Sequence, residues 1–155
     1  MPDIAVVDLC EKAGVSRKTF YKYYSDPFGL LLSMQDDLFV GFKAELVDIP
    51  ANIYDIVPVL FRFADQHRLL LSATLMHRGE GNFIDRVIRY LYEAYREDWE
   101  KANPTMSVEE VHYLFYFVTS GLVGILRLWL LAQTDKNIDE IIKQAETMMK
   151  IATPA

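Results

Sequence analysis

The chain has 155 residues, is 52% hydrophobic and 13% aromatic, and carries a formal net charge of −6. That composition excludes a disordered chain, which lacks the apolar surface to offset conformational entropy, and leaves room for one domain or two small ones with a sizeable core. Cys10 is the single cysteine, so an intrachain disulfide is excluded and a reducing, cytoplasmic setting is expected; the N-terminus also lacks the basic-then-apolar pattern of a secretory signal.

In chain order, Val6, Leu9, Cys10 and Ala13 recur at helical spacing and predict a helix over Ile4 to Ala13, with Cys10 as a small buried hydrophobe. Gly14 suits the left-handed position that ends such a helix, and Ser16 suits the cap of a second one reaching about Tyr24. Val15 and Phe20 are expected to lock the two together, with Arg17, Lys18, Thr19 and Lys22 facing outward. Ser25 or Asp26 then caps a third helix with Pro27 in its first turn and an apolar stripe of Leu30, Leu31, Met34, Leu38, Phe42 and Leu46.

Asp48 to Asn52 breaks the pattern and divides residues 1–47 from a second part, residues 48–155. A helix from Tyr54 to Gln66 holds Pro58 in its first turn or at a kink. A shorter one from Arg68 to Met76 is closed by His77 to Gly81. Asn82 caps the next helix, which carries Phe83, Val87, Tyr90, Leu91, Ala94 and Tyr95; the charged end from Glu93 to Lys101 reads as a solvated face. Ser107-Val-Glu-Glu110 is a capping box, and the stretch after it, Tyr113 to Ala132, is apolar nearly throughout. Its length suffices for a membrane span, but Arg127, Thr119-Ser120 and the lack of a basic flank favour a buried helix. Ser120, Gly121 and Gly124 would let another helix approach closely. Thr134 to Asn137 leads into a last helix with Ile138, Ile141, Ile142, Ala145, Met148 and Met149 on one stripe. No segment alternates as a strand does, so the fold class is all-α.

Catalytic chemistry is not expected. His67, His77 and His112 are isolated, without the paired spacing of a metal-binding helix, and no glycine-rich phosphate loop or nucleophile elbow occurs. The sequence therefore predicts no catalytic residue, metal or cofactor. Charge is more informative: residues 1–30 hold four basic and four acidic groups, so the rest of the chain carries the whole −6. Val15 to Tyr24 holds three cations and no acid, a small basic face on an acidic body, as a DNA reader requires.

The segment Glu11 to Tyr24, above all Ala13-Gly-Val-Ser-Arg17 and Thr19-Phe-Tyr21, resembles the helix-turn-helix of the TetR family of transcriptional regulators. The resemblance implies a DNA interface of Ser16, Arg17, Lys18, Thr19, Tyr21, Lys22 and Tyr23, with Phe20 and Tyr24 packed inside. The C-terminal half, Tyr113 to Leu131 and Ile138 to Met149, is similar to the subgroup of regulators like the dihydroxyacetone kinase activator. It implies a homodimer in which the last two long helices pair with a second subunit through Gly121, Gly124, Leu128, Ile138, Ile141, Ile142, Ala145 and Met149. A small apolar or aromatic effector is expected among Phe61, Tyr90, Tyr116 and Phe117, residues whose alternative role is core packing.

The sequence also departs from the family. The first helix of its DNA-binding domain is absent from this chain, which reads as N-terminally shortened. Ala5, Val7 and Pro27 stand where polar or basic residues commonly meet the DNA backbone, and each lost phosphate contact weakens non-specific affinity. Two readings follow: an operator-binding homodimeric regulator under effector control, or a dimeric effector- or protein-binding module that has lost DNA binding.

Overall fold

Short-range chemistry sets the helix starts. Asp26 Oδ1 accepts from Gly29 N at 2.7 Å and opens a helix whose first residue is Pro27, while Asn137 and Glu140 form a reciprocal box at 2.9 and 3.0 Å. The computed structural model describes residues 5–47, 49, 53–76, 83–131 and 134–153, and the fold is all-α. Among the described residues there are eight helices: α1 (Val6–Ala13), α2 (Arg17–Tyr23), α3 (Pro27–Glu45), α4 (Ile53–Gln66), α5 (Arg68–Met76), α6 (Phe83–Ala102), α7 (Val108–Leu130) and α8 (Ile138–Ala152). Apart from Ile49, the expected break at 48–52 lies outside the described residues, as do the closing segment 77–81 and the cap at Asn82.

Two compact units divide the chain, Met1–Val40 and Gly41–Ala155, and α3 begins in the first and ends in the second. In the first, α1 packs on α2, with Cys10 and Phe20 buried. Along α3 the structure buries Leu31, Leu38 and Gln35, while Met34, expected on the apolar stripe, is exposed.

In the second unit α7 is the central element, packed on α5, α6 and α8, and α4 lies on α5 and α8. It is long and apolar enough to cross a membrane, yet Val111, Phe115, Val118, Leu122, Leu126 and Trp129 are buried inside the fold. Three polar clasps fix its C-terminal end to α5. Arg127 donates to Leu75 O at 2.6 Å, Ser72 donates to Leu130 O at 3.4 Å, and Arg68 donates to Trp129 O at 2.9 Å with its guanidinium over the Trp129 ring. Arg127 thus places its charge at the C-terminal end of α5, where the helix dipole favours a cation.

The opposite end of α7 is set by its capping box. Glu110 N donates to Ser107 Oγ at 3.2 Å, and Ser107 N donates to Glu110 Oε2 at 2.7 Å. The Ser107 backbone bond, then its side-chain bond, hold the Glu110 carboxyl below the usual carboxylate range, against a smaller opposing desolvation. A depressed folded pKa means that the box contributes stability above the unfolded pKa and loses it as pH falls through the folded one. Acidification should therefore loosen the first turn of α7, and Glu110→Gln should remove that dependence. The check is an NMR titration of the Ser107 amide; an unshifted Glu110 midpoint refutes it.

Candidate functional site

The turn between α1 and α2 rests on one backbone position. Gly14 has φ 66° and ψ 28°, and its N–H reaches Glu11 O at 3.3 Å while Val15 N–H reaches Cys10 O at 3.0 Å. These bonds satisfy the last carbonyls of α1. A Cβ at Gly14 would meet nothing within 4 Å, so only the left-handed backbone penalises a side chain there. Gly14→Ala should cost about 1 kcal/mol, and Gly14→Asn less, by urea unfolding. Equal stability of all three proteins would refute the role given to this residue.

Ser16 then caps α2, its Oγ accepting from Thr19 N at 3.0 Å and lying 2.8 Å from Thr19 Oγ1. α2 is seven residues long, about 10 Å, and like any α-helix its diameter of about 10–12 Å matches a DNA major groove about 12 Å wide. Phe20 is its buried side, edge-on to Tyr21 at 5.5 Å and tilted against Tyr24 at 5.7 Å. Val15, expected to share this lock, is 43% exposed.

The structure brings Ser16, Arg17, Lys18, Thr19, Tyr21, Lys22 and Tyr23 together on α2 and its cap, all exposed. Lys22 stands over the Tyr23 ring at 5.4 Å, which keeps both at the surface. Arg17 and Lys18 occupy the first turn, where cations oppose the helix dipole. Their charge adds to the positive end of the helix and concentrates potential on the open face. Guanidinium and ammonium groups can donate to guanine edges or phosphates, and phenolic and alcohol hydroxyls can position phosphates. Around this face Ala5 caps α1 without any side-chain bond, and Val7 is exposed.

Among the described residues of the second unit, two apolar hollows stand out. An open groove of about 760 Å³ runs along α7 and α8, walled by Phe117, Gly121, Ile125, Met148 and Ile151 among others. A small cavity of about 30 Å³ lies among α4, α6 and α7, between Ile56, Leu60, Val87, Leu91, Thr119, Leu122 and neighbours. Thr119 spends its hydroxyl on Phe115 O at 2.8 Å, so the cavity offers a ligand only apolar contact.

The four expected effector residues are not gathered around this cavity. Phe61 is completely buried, Tyr90 half-buried, and Tyr116 and Phe117 exposed; none lines it. Of the residues expected at a dimer interface, Gly121, Gly124 and Leu128 lie on an open face of α7. Ile141, Ile142, Ala145 and Met149 are already buried within the single chain, because that stripe of α8 packs on α4 and α7, and Ile138 is half-buried. The outer side of α8 instead exposes Met148 and Ile151. On α7, apolar nearly all round, spacing does not declare which side is inward; on α8 it marks the apolar stripe but not which neighbour covers it.

Residues 51–151 match the family model of a transcriptional regulator C-terminal region. No curated protein and no solved structure matches the chain.

Proposed function

The chain belongs to the TetR family of transcriptional regulators, and from that premise we propose that it reads operator DNA as a cytoplasmic homodimer under the control of a small apolar effector. Residues 1–47 serve as the reader with its connecting helix, and 48–155 as the regulatory and dimerisation domain. The observation that carries this reading is the capped, acid-free α2, with Arg17, Lys18, Lys22 and two tyrosines open to solvent. The finer kinship with regulators like the dihydroxyacetone kinase activator rests on the apolar pattern of α7 and α8.

The effector is assigned to the cavity among α4, α6 and α7, whose apolar walls favour an uncharged ligand. At about 30 Å³ the cavity must widen to admit one. Effector binding therefore selects a conformation, and only its differential affinity shifts the equilibrium.

A second reading, a dimeric effector- or protein-binding module that has lost DNA binding, is favoured by the uncapped Ala5, the exposed Val7 and the balanced charge of residues 1–30. Fluorescence anisotropy with duplexes tiling the DNA beside the gene separates the two. A DNA reader should select one duplex, and its affinity should fall linearly on a log–log plot against salt as counterions are released. A folded dimer that selects no duplex even at low salt leaves only the second reading.

A further inference from the structure

We infer that Phe117 is the anchor by which a second copy of this chain docks on α7 and α8, its ring entering the trough over the other copy's Gly121 and Gly124. The inference rests on the proposed homodimer and adds what holds it. Phe117 is 70% exposed, an unusual state for so large an apolar ring within a helix that forms the centre of its unit. Four residues on, Gly121 has nothing within 4 Å of where a Cβ would stand, and the same holds at Gly124. Positions 117, 121, 124 and 128 follow one another along one side of a helix. A protrusion and a depression therefore share a face, one turn apart.

That pairing selects the occupant. A two-fold interface must complement itself, residue i of one copy meeting residue j of the other and the reverse. Phe117 over glycine satisfies this twice at once, which an unrelated partner has no need to do. The patch continues through Leu128 on α7 and through Met148 and Ile151 on α8, all at least 47% exposed. Large apolar side chains exposed side by side in this way mark an interaction surface. The glycines add close backbone approach, which lets a partner helix cover the whole row. Charge does not oppose it: between Tyr113 and Leu131 the only ionic side chain is Arg127, which is committed to Leu75 O.

Sedimentation equilibrium over a range of concentrations tests the anchor. The unmodified chain should be a dimer, and Phe117→Ala should raise its dissociation constant by roughly 30-fold to 1,000-fold, as removal of a central aromatic anchor does. Gly121→Leu should do the same by filling the trough, with helicity retained because its site is open. Leu69→Ala, at a residue 90% exposed on α5, should leave the constant unchanged. A dimer indifferent to Phe117→Ala overturns the anchor and leaves the homodimer standing. An unmodified chain that stays monomeric at every concentration overturns both, and its flotation with phosphatidylcholine vesicles would assign the face to lipid instead.

Discussion

Phe115→Ala is expected to remove about 3–5 kcal/mol of folding stability, a large part of the 5–15 kcal/mol that a domain commonly has. The Phe115 ring is wholly inaccessible at the seam of α6 and α7. Trp99 and Tyr92 meet it edge to face, each with ring centres 5.2 Å away, and Tyr116 does so at 5.8 Å. Truncation therefore loses the transfer free energy of the ring, leaves a cavity that the packed helices close only in part, and deletes edge-to-face contacts worth about 0.5–1.5 kcal/mol each. The measurement is urea unfolding at a fixed protein concentration, since association shifts apparent stability by mass action. A loss below about 1 kcal/mol would show that the seam is not the core of the second unit.

The second large effect belongs to α2. Arg17→Ala combined with Lys18→Ala should abolish sequence selection, each residue contributing about 1–3 kcal/mol if it donates to a base edge. Where one of them meets a phosphate instead, the loss is uniform across duplexes and the salt slope falls by about one. Folding should not suffer, because both side chains are exposed and both oppose the dipole of the helix that carries them. Anisotropy at two salt concentrations separates base reading from phosphate contact. Full retention of selection by the folded double variant removes α2 as the reader.

The features legible in the sequence are those decided within one turn. Ser16, Asp26, Ser107 and Asn137 cap helices because a side-chain oxygen meets an N–H three residues on, and that spacing is visible in any string of residues. Gly14 belongs with them, since its φ of 66° is written in the absence of a side chain. The exposed row on α2 was legible for the same reason: one buried aromatic, Phe20, fixes which way the other residues face.

What tertiary packing decides was not legible. On α7 both Phe115 and Phe117 are apolar, and only the placement of α6 makes the first a core ring and the second a surface one. On α3 the neighbours Met34 and Gln35 exchange the roles their polarity suggests. The stripe on α8 was read correctly as apolar, yet α4 and α7 of the same chain cover it before a partner can. Pro58 sits inside α4 as its sixth residue, where the sequence allowed either a first turn or a kink.

Among the described residues, Leu122 is the one side chain that walls both of these hollows of the second unit, the small cavity and the open groove. A close-packed interior yields little, so a molecule too large for the cavity meets least resistance where Leu122 backs onto empty space. Covering the groove removes that escape and stiffens the partition. With the proposed effector in the cavity and the proposed partner on the groove, occupancy of one would be linked to occupancy of the other, and thermodynamic reciprocity would make the penalty the same whichever arrives first.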